Sequence, residues 1–206
     1  MSVVIAMKYK DGVVIGADRQ AICGDNKVVG GVTKIKMFPY SKHAIGKCGY
    51  VRHTNALFTQ EELVTFEDIV KQTEIDINYV VSVIMPNIRA ILKVFDEKED
   101  IDDIGSTIYV TSGKIFTIES DGAVIENQNF ACIGSGAVSA NGLITQLYSV
   151  NDEEMLSEED AITMVSAGIQ TANENTIYVG DGIDIIVVRK KQEEPDCEEP
   201  NDTEEK

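Results

Sequence analysis

Few residues in this sequence are of types that do chemistry, and most of those can be set aside. The four cysteines, Cys23, Cys48, Cys132 and Cys197, form no CxxC pair and share no spacing with a histidine pair, so a zinc site is not expected. Free thiols are the plainer reading, and Cys48 has no identifiable base to make it a nucleophile. His43 and His53 read as surface residues. What remains is a set of polar residues at turns and strand ends: Ser2, Asp18, Lys34 and Ser135. Taken singly, each has a plain explanation. Asp18 suits a turn or cap, Lys34 a solvated strand, and Ser135 a turn between two glycines. Many chains begin Met-Ser.

The stretch that opens the chain changes their weight. Val3 to Met7 and Val13 to Ala17 are short apolar runs on either side of Lys10-Asp11-Gly12. β-branched residues flanking an Asp-Gly pair predict a hairpin. No secretory leader is expected before it. A strand starting at the second residue would carry the chain's own amine into the folded body.

Length, charge and hydropathy bound the rest. At 206 residues one domain is expected, and an apolar fraction of 43% allows an ordinary core. No apolar run is expected to reach the roughly 18 residues needed to cross a bilayer, so the reading is cytoplasmic, with no membrane partner. The net charge is −17, and residues 192–206 contribute eight acids against one lysine. The body stays acidic without them, which argues against a nucleic-acid partner. Residues 191–206 read as a disordered acidic tail, leaving 1–190 as a single domain.

The elements that must position the polar set follow from periodicity. Arg19 to Gly31 reads as a loop or short irregular strand, Thr33 to Phe38 as a strand, and His43 to Gly49 as a small-residue strand. Val51 to Leu63 reads as a helix. Thr65-Phe-Glu-Asp68 is a capping box opening a second helix, whose apolar face runs to Val94 and which Pro86 should kink or split. An acidic loop spans Asp96 to Asp103. Period two returns in Ser106–Thr111, Lys114–Glu119, Gly122–Ile125 and Phe130–Ile133. Helices are expected from Val138 to Tyr148 and after the Ser157 cap, and closing strands at Thr176–Val179 and Ile183–Val188. Strands, helices, strands, helices, strands make an α+β chain. Two antiparallel sheets face to face, with helices outside, form a four-layer αββα sandwich.

These residues, in this order, resemble the proteasome β-subunit and HslV peptidase family, N-terminal-nucleophile hydrolases. The resemblance runs from residue 2 to about 188. It is densest over Lys10-Asp-Gly-Val-Val-Ile-Gly-Ala-Asp18-Arg-Gln-Ala21, Thr33-Lys34-Ile35 and Ile133-Gly-Ser-Gly136. It implies the αββα fold and a peptidase whose first mature residue, here Ser2, is the nucleophile after Met1 is removed. A serine hydroxyl needs a base, and a terminal amine of reference pKa about 7.7–8.0 is already attached. By the same resemblance Lys34 would stabilise developing negative charge, Asp18 would hold Lys34, and Ser135 would bond the amine or relay a proton. A backbone N–H at Gly49, or at Gly46, would form the oxyanion hole. The late Ala172-to-Val179 stretch lacks the aspartate common in proteasome β-subunits and is closer to the HslV pattern. That pattern implies no required cofactor, with a structural monovalent cation on the main-chain carbonyls of Asn173, Thr176 and Val179. The implied partners are further copies in a homo-oligomeric ring, an ATP-dependent unfoldase and unfolded polypeptide. Two alternatives share the fold: a non-catalytic ring or scaffold subunit, and a small-molecule amidohydrolase.

Overall fold

The opening hairpin forms as its turn and β-branched runs dictate. The computed structural model describes residues 2–23, 26–28, 31–71, 75–95, 104–149 and 156–190. The expected acidic loop over 96–103 and the acidic tail over 191–206 lie outside the described residues. Strands β1 (Val4–Tyr9) and β2 (Gly12–Asp18) pair antiparallel, from Val4 opposite Ala17 to Tyr9 opposite Gly12. β3 (Ala21–Cys23) and β4 (Asn26–Val28) make a small separate ribbon where a loop or irregular strand is expected. β5 (Ile35–Met37) and β6 (Ala44–Lys47) begin a second large sheet. It continues through β7 (Thr107–Val110), β8 (Ile115–Ile118) and β9 (Val124–Asn127) in simple order. β10 (Phe130–Ile133) and β11 (Ile183–Arg189) complete the first sheet, in the order β10-β1-β2-β11.

Period two then builds three packed interfaces. Val3, Ile5, Met7 and Tyr9 point one way, onto helices α5 (Ala137–Tyr148) and α6 (Glu158–Asn175), where they meet Ile144, Val165 and Ile169. Val4 and Ala6 point the other way and meet Ala44, Ile108 and Val110 of the second sheet. The outer face of that sheet, Ile45, Tyr109 and Phe116, packs on Leu57, Ile84, Ile88 and Leu92. These apolar groups come from α1 (Val51–Phe58) and from the helical run Ile77–Phe95, while α2 (Phe66–Lys71) lies between the two. The result is the α+β, four-layer αββα architecture. Val3, Val4, Ile5 and Ala6 are all fully buried, and a buried Val or Ile contributes about 1.5–3 kcal/mol. Ser2 is therefore fixed in place by the core residues that follow it.

Several expected boundaries move. The helix from Val51 ends at Phe58, and residues 59–65 are irregular. The second helix is not one unit broken at Pro86. It is α2, then a new start at Asp76, whose side chain accepts from Tyr79 N at 2.8 Å. α3 (Ile77–Tyr79), a π-helical turn over Val80–Ile84 and α4 (Met85–Phe95) then run on without a gap. Pro86 sits just after the wide turn, where a residue lacking an N–H costs least. By length and composition alone Ile77–Val94 is apolar enough to cross a membrane, against expectation. Averaging over Asn78, Ser82 and Arg89 hides their breaks in the run. Here Val80, Ile84, Ile88 and Leu92 form a stripe buried on the second sheet. Thr176–Val179 is a turn rather than a strand, because Gly180, Asp181 and Gly182 follow at positive φ.

Candidate active site

The hairpin delivers Ser2 to the end of the first sheet, where β10 runs into α5. The Ser2 nitrogen donates to Ser135 Oγ at 3.1 Å, and Ser135 Oγ donates to the Ser2 carbonyl at 3.4 Å. Gly136 N also donates to that carbonyl, at 3.1 Å. Gly134 has φ 94°, and a Cβ there would lie 2.3 Å from the Ser2 oxygen, so only glycine lets the strand-to-helix turn close on Ser2. Ser2 itself is 3% exposed.

Asp18 ends β2 directly beside this point and is fully buried. Its Oδ1 accepts from Val3 N at 2.9 Å and from Lys34 Nζ at 2.7 Å. Its Oδ2 accepts from Gln20 N at 3.1 Å and from Gly180 N at 3.2 Å. Four donors offset the cost of burying one carboxylate. Lys34 is 5% exposed, and burial lowers its pKa against the opposing pull of Asp18. The arrangement holds an ammonium in a nearly dry site, within one residue of the Ser2 nitrogen along the Asp18 carboxylate.

A small cavity of about 50 Å³ opens beside these groups. Ser2, Gln20, Lys34, Lys47 and Gly49 line it, with Val51 and Thr54 from α1. Gly49 is thus brought to Ser2, but Gly46 is not. Gly46 lies inside β6, and a Cβ there would strike Val4 at 2.5 Å in the inter-sheet core. Lys47 N donates to Lys34 O and Cys48 N to Ser106 O, so by antiparallel alternation the Gly46 amide is directed at Ile108 within the ladder. The second oxyanion candidate is corrected on that ground. Cys48 is buried, and burial pushes its thiol up to about 12, which leaves it protonated.

Comparison with known proteins reaches part of this site. Residues 104–188 match the family described as proteasome subunit. Over that stretch the chain is similar to proteasome subunits. Among curated relatives it is similar to proteasome subunit beta 1 of Hyperthermus butylicus, 33% identical over 92 residues, 45% of this chain and 43% of that protein. It is also similar to proteasome subunit beta 2 of Korarchaeum cryptofilum, 31% identical over 78 residues, 38% of this chain and 37% of that one. A third, proteasome subunit beta 1 of Cenarchaeum symbiosum, is 31% identical over 74 residues, 36% of each chain. The chain thus spans less than half the length of the curated relatives it matches. Of the site residues, Ser135 lies within the match to the proteasome subunit family, and Ser2, Asp18 and Lys34 precede it.

Three further positions stand at the turn after α6. Asn173 is in the helix's last turns, Thr176 caps it by donating N–H to Ala172 O at 3.0 Å, and Val179 is buried. Among the described residues no group of three or more His, Cys, Asp or Glu side chains could hold a metal. Lys27, 2.9 Å from Asp181, already brings an ammonium to the turn.

Sequence reasoning missed three residues here. Gln20, 3% exposed, donates from Nε2 to Ile177 O at 2.5 Å. Gly180 donates to Asp18. Lys47, 1% exposed, donates to Ile104 O, to Gly105 O at 3.3 Å and to Thr107 Oγ1 at 3.4 Å. A signal existed for Gln20, a long polar residue two positions after a strand-ending aspartate and just before an apolar pair. Both histidines depart from expectation. His53 is fully buried in α1, and His43 is half-buried with its Nδ1 2.7 Å from the Tyr109 hydroxyl.

Proposed function

We propose that this chain is a proteasome-β-type peptidase in which Ser2 is the nucleophile once processing leaves it as the first residue. One observation carries the reading: the Ser2 nitrogen and the buried Asp18–Lys34 pair meet at the mouth of one cavity. Freed, that nitrogen is a base attached to its own nucleophile. It takes the Oγ proton, and Oγ attacks the peptide carbonyl. Negative charge on the tetrahedral carbonyl oxygen is met by the Gly49 N–H, and the Lys34 ammonium stabilises the developing alkoxide. Collapse breaks the C–N bond, and the ammonium of Ser2 returns its proton to the leaving amine. Water then hydrolyses the Ser2 ester, with the amine again as base. Ser135 Oγ orients the nitrogen throughout.

By family relation, rings of this chain would enclose the sites in a chamber, fed with unfolded polypeptide by an ATP-driven unfoldase in the cytoplasm. Residues 1–190 act as one unit, and removing 191–206 leaves activity unchanged. No cofactor enters the reaction. The carbonyls of Asn173, Thr176 and Val179 hold a monovalent cation that stiffens their turn. The test is hydrolysis of an unfolded polypeptide by wild type and Ser2→Ala, with assembly followed by sedimentation. Loss of cleavage with assembly kept supports the reading, and equal cleavage refutes it.

A second reading, a non-catalytic ring subunit, is favoured by the 3% exposure of Ser2 and the size of the cavity beside it. It expects assembly with no turnover in wild type. Turnover of small amides alone would point to an amidohydrolase.

A further inference from the structure

Three of the four donors to Asp18 are Val3 N and Gln20 N, each next to a paired strand, and the Lys34 side chain beside β5. The fourth, Gly180 N, comes from the 176–182 turn, which belongs to no strand. Something must keep that turn against β2. Arg19 N donates to Gly180 O at 3.0 Å, which fixes the chain direction at one point. The Gln20 side chain holds the turn at a second. Its Nε2 donates to Ile177 O at 2.5 Å, and its Oε1 lies 2.7 Å from where a Gly180 Cβ would stand. The Gln20 amide therefore sits close against Gly180, and a side chain at 180 would have to displace it. The same residue's own N–H is on Asp18. Gln20 joins the carboxylate, the turn that caps it and the wall of the Ser2 cavity.

We infer that Gln20 is a positioning residue: its side-chain amide clamps the 177–182 turn so that Gly180 N–H stays on Asp18, which in turn fixes the Lys34 ammonium beside Ser2. This rests on the proposed peptidase reading only for its kinetic consequence. The clamp acts through Asp18 and touches no reacting atom. Removing it lets Oδ2 lose a donor and the carboxylate swing, so Lys34 moves away from the amine. The amine then loses a nearby cation, and its pKa rises.

The test uses the full chain and two variants, Gln20→Met, which keeps length without a donor, and Gln20→Ala. The first arm follows the Lys34 side-chain ammonium by NMR titration and needs no activity. Its titration is expected to shift in both variants while thermal unfolding stays close to wild type. The second arm measures peptide hydrolysis. The variants are expected to lose about tenfold in kcat with KM within twofold, and the acidic limb of the pH–rate profile to move upward by about half a unit. An unchanged Lys34 titration overturns the inference. So does a rise in KM alone, which would make Gln20 a substrate contact. A wild type without hydrolysis but with the titration shift in the variants would sink the peptidase reading and leave the clamp standing.

Discussion

β6 and β7 end in two buried polar clusters, and the two treat charge in opposite ways. At the Ser2 end, Lys34 keeps a carboxylate partner at 2.7 Å and Asp18 keeps three backbone donors besides. At the far end, His43 has a tyrosine hydroxyl at 2.7 Å, and burial drives its pKa down to about 4. Burial also raises the Tyr109 hydroxyl. One end is built to hold charge in a dry place, and the other to exclude it. Only the first borders the Ser2 cavity. The lesson is that a buried titratable residue is evidence of a site when it is hydrogen-bonded to a counter-charge, and of packing when its hydrogen-bond partner is a neutral hydroxyl.

The comparison breaks most severely at Asp18. Asp18→Asn leaves the Lys34 ammonium buried without its carboxylate, and is expected to cost about 3–5 kcal/mol by denaturant unfolding. Lys34→Met is milder, about 1–3 kcal/mol, because the Asp18 carboxylate still holds three N–H donors. If the two costs came out equal, the backbone donors would not be stabilising the carboxylate as described.

The far end gives a pH effect of definite sign. His43 is neutral in the fold down to about pH 4, whereas an unfolded histidine takes up a proton near 6.5. Between those values the unfolded state binds more protons, so stability falls as pH falls through that window and is flat above it. His43→Phe is expected to remove that component of the acid sensitivity. A variant with undiminished acid sensitivity would place its origin elsewhere.

The smallest effect belongs to a third contact, at the surface. Arg189 Nη2 and Nε donate to Glu158 at 2.6 and 2.8 Å, joining β11 to α6, and Tyr9 donates to the same carboxylate at 3.0 Å. The Arg189 side chain is 63% exposed, so Glu158→Gln should cost under about 1 kcal/mol, and less at high salt.

Much of this was legible in the sequence because period two decides strand faces. Val3, Ile5 and Met7 against Val4 and Ala6 already state that β1 is buried on both sides. The Ser157 capping box likewise announced α6, since the cap is a purely local contact. The contacts of Gln20 and Gly180 were not legible. They lie 157 and 162 residues apart from their partners, Ile177 and Asp18, and a backbone donor leaves no mark in residue type. Gly46 misled because a small residue serves equally for a donor near a substrate and for close packing of two sheets. The turn at 176–179 misled because Ile177, Tyr178 and Val179 look like strand residues, while the backbone is governed by the Gly-Asp-Gly that follows.

The central claim is that Ser2 is a free-amine nucleophile. The direct measurement is the intact mass of the chain purified from cells, before and after treatment with an electrophile that acylates active-site hydroxyls, followed by peptide mapping. The account expects a chain that begins at Ser2 and gains one adduct on that residue, with Ser2→Ala unlabelled. A chain that still carries residue 1, or an adduct found elsewhere with Ser2 untouched, would contradict it.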